Sequence, residues 1–233
     1  MYASIEFNAQ ISSNKSFSIP ITLKYDINEN LSIFNKVRFY NIEHPHLNYL
    51  HQDYNRKNLT AINEISYLKY ANNNIQFLIG RNYIADHSEL FFSKYATSKD
   101  HFKFNFKNNK FEYNYYIIRL NNEIFDCENP ECAEVWGDTG IHNINRWYYY
   151  KDISIEFDKF ILTFSESIFS TGEDRIPEWY YLNPLGFFIA EQMHNPENID
   201  GEVEDNNDNY FMGLGIKYIK SENLSINASI IID

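Results

Sequence analysis

No stretch of the 233-residue sequence approaches the ~20 consecutive apolar residues that a membrane-crossing helix needs. No long segment shows a convincing helical period of 3.6 residues either. Glycine and proline are scarce, at 8 and 6, which excludes collagen-like and proline-rich classes. Basic residues number 20 against 32 acidic, for a net charge of −12. That balance argues against a nucleic-acid partner, since phosphate binding needs a basic face. No glycine-rich phosphate loop and no nucleophile elbow occurs.

Aromatic residues are abundant instead: 19 Tyr, 19 Phe and 3 Trp make up 18% of the chain, which excludes intrinsic disorder. A mean hydropathy of −0.50 does not decide between a soluble domain and one class of membrane protein. A transmembrane β-barrel alternates apolar and polar residues along every strand, so its average hydropathy stays low.

The period is two throughout. Phe17, Ile19, Ile21, Leu23 and Tyr25 alternate with Ser18, Pro20, Thr22 and Lys24. Phe102, Phe104 and Phe106 alternate with lysines, histidine and asparagine; Ile153, Ile155 and Phe157 alternate with Ser154 and Glu156. Tyr210, Met212, Leu214, Ile216 and Tyr218 form another such row, and Leu224 to Ile232 the last. Successive side chains of a strand point to opposite faces, so these are strands. Weaker candidates are 2–10, 31–40, 59–70, 75–83 and 160–169, for about eleven strands in all. Short Asn/Asp/Lys/Ser turns at 26–30, 71–74, 108–109, 158–159 and 221–222 alternate with long segments at 41–58, 84–100, 121–146 and 170–209. In an up-and-down antiparallel sheet, alternate connections lie at opposite ends. One end is therefore all turns and the other all long loops, as in outer-membrane barrels. The expectation is an all-β, antiparallel, up-and-down transmembrane barrel, in one domain over 1–233. The apolar rows face membrane lipid, and Ser18, Thr22, Lys24, Gly213 and Lys217 face inward. Strand parity and the lack of a secretory signal at Met1 lead us to expect an incomplete barrel, a piece of a longer outer-membrane protein.

Cys127 and Cys132 lie five apart around Pro130 in an expected external loop, a spacing that suits a small disulfide ring better than a metal site. His44, His46 and His51 read as a solvated loop, because Pro45 splays the first two imidazoles. Glu202, Glu204, Asp205 and Asp208 read as a solvated acidic loop, with cation bridging to polysaccharide as the sharper alternative. Glu166 shares its alternation with Phe160, Leu162, Phe164 and Ile168. A bare carboxylate there would cost a few kcal/mol toward lipid. Arg81, Arg119 or Arg146 is the expected partner.

A series of short motifs resembles a known family. In chain order these are Gly80-Arg81, Asn145-Arg146-Trp147, Glu166 within Phe164–Ile168, Tyr181-Leu182-Asn183-Pro184, and Asp208-Asn209. The chain resembles the Wzi-like capsule-assembly outer-membrane barrels, in the divergent form of Bacteroidetes and marine bacteria. A gliding-motility barrel shares a similar Tyr-Leu-Asn-Pro segment. The resemblance implies an outer-membrane location and a non-enzymatic barrel that holds capsular polysaccharide, with no cofactor and no metal. Trp136, Trp179, Tyr180 and Asn183 are candidate sugar contacts, because aromatic faces suit sugar C–H faces. The alternative for the tryptophans and tyrosines is a membrane-interface belt. A porin or uptake channel is the second functional expectation, and a barrel-embedded lipase the third. Segment 181–188 is expected to fold back as a clamp on the lumen mouth, near Arg146 and Glu166, with a buried phenylalanine and Asn183 bonded to backbone.

Overall fold

The computed structural model describes residues 2–7, 10–11, 17–40, 54–56, 59–84, 98–120, 123–127, 140–173, 175–190, 208–221 and 224–232. The chain divides into two compact units, Met1–Asn108 and Asn109–Asp233. Both are antiparallel β-sheets whose long strands follow one another up and down.

The first unit contains β1 (Tyr2–Phe7), β2 (Gln10–Ile11), β3 (Phe17–Asp26), β4 (Leu31–Tyr40), β5 (Tyr54–Arg56), β6 (Leu59–Ala71), β7 (Ile75–Asn82) and β8 (Lys99–Asn108). The order across its sheet is β1-β3-β4-β6-β7-β8, with β2 on β3 and β5 on β6. The second unit contains β9 (Phe111–Arg119), β10 (Glu123–Cys127), β11 (Gly140–Phe157), β12 (Phe160–Glu173), β13 (Asn209–Ser221) and β14 (Leu224–Ile232). Its order is β9-β11-β12-β13-β14, with β10 on β11.

The turns close by the chemistry their residues suggest. The Asn28 side-chain oxygen accepts from the amides of Asn30 and Leu31, at 2.9 and 2.8 Å. Asn72 repeats the device with Asn74 and Ile75, at 3.0 and 2.8 Å. Such Asx turns fix both hairpins without glycine. Asp158 takes the left-handed conformation at φ 47°, which an Asp tolerates in a two-residue turn.

β1 pairs with β3 from Tyr2↔Asp26 to Phe7↔Ile21, and β2 pairs with it at Gln10↔Ser18 and Ile11↔Phe17. One expectation on strand limits is corrected. Segment 121–146 is not all loop. β10 pairs with the start of β11, from Glu123↔Ile144 to Cys127↔Gly140, so the hairpin continues past the end of β9. The cysteine, histidine and Trp136 expectations fall on side chains outside the described residues.

The two faces of each sheet differ in kind. Register places Leu23, Ile33, Leu68, Ile79 and Phe102 on one face of the first unit. In the second unit Ile155, Leu162, Ile216 and Ala228 share a face, with Ile153, Phe164, Leu214 and Ile230 beside them. Most of these side chains are exposed: Leu23 is 45% and Leu214 50% accessible. A packed sandwich core would bury them. The opposite faces carry the polar side chains, with Asn114 donating to Asp152 at 3.1 Å and Ser154 against Thr163 at 2.9 Å.

Candidate functional site

Two built clusters stand out, one in each unit. On the polar face of the first, alternation along β4 aligns Phe34, Lys36 and Arg38. Tyr67 stands opposite Phe34, its ring stacked at 5.3 Å between centroids. The register on β6 then slips between Lys36↔Ile65 and Val37↔Asn63, leaving Glu64 as the extra residue of a bulge. By strict alternation with Ser66, Leu68 and Tyr70, Glu64 would sit on the apolar face. The bulge turns it to the polar one. There it accepts from Arg38 through both carboxylate oxygens, at 2.9 and 3.1 Å, and pairs with Lys36 at 3.1 Å. The Tyr83 hydroxyl donates to it at 2.8 Å, and Arg38 also reaches the Ser18 hydroxyl at 3.5 Å. A bidentate guanidinium, an ammonium and a phenol on one carboxylate make a rigid polar surface beside a stacked aromatic pair.

The second cluster is the segment from Arg175 to Ala190, laid against β9, β11 and the end of β12. Its backbone is gripped from the sheet. Tyr113 donates to the Pro184 carbonyl, Tyr115 to the Tyr181 carbonyl at 2.6 Å, Lys151 to the Gly186 carbonyl, and Trp147 to the Arg175 carbonyl at 3.0 Å. The Glu178 amide donates to the Tyr149 hydroxyl at 3.1 Å. Phe188 is 1% exposed, edge-on to Tyr149 and Tyr181 and under the Lys151 ammonium at 4.1 Å. The Asn183 side chain accepts from the Leu185 amide at 3.1 Å, closing the turn around Pro184.

Beneath the segment lies Glu166, 1% exposed. Its partner is none of the three arginines expected. The β11–β12 register sets Lys151 directly opposite it, the ammonium 2.8 Å from Oε2, and Tyr210 donates to Oε1 at 2.8 Å. Asp208 also departs from expectation: it is buried, not solvated. Arg175 donates to both its oxygens, at 2.6 and 2.9 Å, and the Tyr181 hydroxyl donates at 2.9 Å. Burial works against the Arg175 charge, but the hydrogen bond to Glu178 and the charge of Asp208 outweigh it and hold the guanidinium above its usual range. Burial pushes the Tyr181 phenol up, reinforced by the charge of Asp208 and the hydrogen bond to it.

The pairs Tyr115↔Lys151, Lys151↔Glu166 and Tyr149↔Ile168 put the whole floor of this segment on the face that carries Ile153, Leu162 and Leu214. The clamp therefore caps part of the apolar face rather than the polar one. The other motif residues are scattered. Gly80 sits in β7 at φ 128° against the backbone of Ser66 and Tyr67. Arg81 is bidentate to Asp100, at 2.8 and 2.7 Å, in the first unit. Asn145 and Arg146 face Gly172 and Thr171 on β12, and Asn209 opens β13 opposite Phe169. Trp179 is 83% exposed, and Tyr180 donates to Glu178.

No known family model matches the chain, and no curated protein matches it. Among solved structures it is similar to OmpT, an outer membrane protein of Vibrio cholerae, folded in vitro. For the trimer form the identity is 10% and the TM-score 0.41, with 98% of this chain and 76% of that chain covered. A second OmpT structure gives 9% identity and a TM-score of 0.31, covering 99% and 84%.

Sequence reasoning missed Lys36, Arg38, Glu64, Tyr83, Lys151, Arg175 and Glu178. Phe34, Lys36 and Arg38 do alternate in the sequence. Glu64 carries no such signal, because a bulge decides its face.

Proposed function

We propose that the protein is a non-enzymatic outer-membrane β-barrel protein that holds a surface polysaccharide on the polar face of its strands. Lipid contact is supported by the apolar rows left exposed on the strands of both units. The polysaccharide part rests on the cluster of Phe34, Tyr67, Lys36, Arg38, Glu64 and Tyr83. Sugars are recognised by aromatic faces together with planar, charge-assisted hydrogen-bonding groups, and this cluster supplies both on one rigid surface. Its carboxylate is bonded to three partners, which suits binding better than turnover.

The test uses the full chain refolded into lipid vesicles, with dextran and alginate as neutral and anionic probes. Glu64→Gln should weaken retention of the bound probe about tenfold, the equivalent of ~1.4 kcal/mol from one charge-assisted contact, with heat-modifiable gel migration unchanged. Equal retention by parent and variant, together with ion conduction across a planar bilayer, would favour the channel reading instead.

A further inference from the structure

The chain carries 32 acidic residues against 20 basic ones, yet the polar face of the first unit is basic. Register sets Lys24 opposite Phe34, Phe34 opposite Tyr67, Tyr67 opposite Gly80 and Gly80 opposite His101, one row from β3 to β8. Alternation from that row puts Lys36 and Arg38 of β4, Lys69 of β6, and Lys103 and Lys107 of β8 on the same face as Lys24. The carboxylates there are Glu6, Asp26 and Glu64. Cations outnumber carboxylates on this face, the reverse of the balance in the whole chain. They also bracket the stacked aromatic pair. Lys24 shares its row, while Lys36 follows Phe34 by two and Lys69 follows Tyr67 by two, on opposite sides of the row. Glu64 holds Lys36 and Arg38, and Lys24 lies 2.9 Å from Asp26. The Lys69 ammonium has no hydrogen-bond or ion-pair partner among the described residues.

We propose that this face takes an anionic polysaccharide, a chain of uronate sugars, with Phe34 and Tyr67 against the sugar rings and Lys69 meeting a carboxylate. The inference rests on the polysaccharide reading above and deepens it by naming the charge of the ligand. A neutral glycan would use the aromatic pair and the Glu64 network but leave the Lys69 ammonium unmatched. A uronate supplies the missing carboxylate beside the same sugar ring, two residues from Tyr67 along β6. The −12 charge of the chain repels a polyanion in general, so a locally basic face also decides where such a ligand docks.

The test floats the full chain in lipid vesicles with fluorescent alginate or dextran oligosaccharides, against protein-free vesicles as the blank. Alginate should be retained about tenfold better than dextran, and its retention should weaken as salt rises from about 0.1 to 1 M. Lys69→Gln should lower alginate retention about fivefold, the upper range for a partly exposed ion pair, and Lys69→Arg should keep it. Heat-modifiable gel migration reports that each variant has folded. Dextran held as well as alginate overturns the anionic assignment while the polysaccharide reading stands. Retention of neither sugar overturns both. Alginate held equally by the parent and folded Lys69→Gln overturns the proposal, because Lys69 then meets no carboxylate. A single-stranded oligodeoxynucleotide held as tightly as alginate overturns it too, because the face then selects charge and not sugar.

Discussion

At Gly80, a β-carbon would stand 2.2 Å from the Ser66 carbonyl oxygen, on a backbone at φ 128° that L side chains rarely adopt. Gly80→Ala therefore meets both a steric and a conformational penalty, and the refolded protein should lose roughly 1–3 kcal/mol, read as an earlier urea midpoint. Glu166 gives a second expectation at this scale. Lys151→Met alone leaves a carboxylate buried without its charge partner, a loss of about 3–5 kcal/mol. The double change Lys151→Met, Glu166→Met removes both charges and should recover most of that loss. A double-mutant cycle on the same urea transition measures the recovery. Glycine at position 80 was legible as a motif, but its cause was not, because the close backbone of Ser66 and Tyr67 is known only once the β6–β7 register is known. Glu166 was legible as an anomaly for the same kind of reason. Alternation placed it among apolar residues, while the identity of its partner depended on a cross-strand register that no local signal encodes.

At the scale of elements, the strands were the most legible part. Rows such as Tyr210 to Tyr218 declare a strand and its two faces without further information. The short turns at 26–30 and 71–74 were equally plain, though not their Asx hydrogen bonds. Pairing determined what was obscure. The extension of β11 by β10 and the bulge at Glu64 each depend on a neighbouring strand. The clamp segment was visible as too apolar for a loop in water, and its turn at Asn183–Pro184 follows from proline chemistry. Its choice of face was not visible. The latch of this element is titratable. Burial and Asp208 raise the Tyr181 phenol, and burial and Glu178 raise that of Tyr180. A phenol raised on folding contributes stability that is complete below its unfolded value of about 10 and is lost as pH climbs above it. The clamp should therefore loosen only above about pH 10. Tyrosinate absorbance and clamp release, followed together through an alkaline titration, should rise in step, and Tyr181→Phe should shallow the pH dependence. Release near neutral pH would contradict this latch.

At the scale of the whole molecule, two-faced strands separate lipid from a polar face. The −12 net charge belongs to a chain whose apolar rows carry few charges, so the charged side chains gather on polar faces and in connections. The most direct test is the environment of each face in a reconstituted membrane. Single nitroxide labels would replace Ile33, Leu68, Leu162 and Leu214 on the apolar faces, and Lys36, Tyr67, Thr163 and Gly213 on the polar faces, in a Cys127→Ser, Cys132→Ser background. Collision with oxygen, which concentrates in hydrocarbon, should dominate at the first four sites, and collision with a water-soluble nickel chelate at the second four. Nickel access at Leu162 and Leu214 equal to that at Thr163, or burial of the first four from both reagents, would contradict the account.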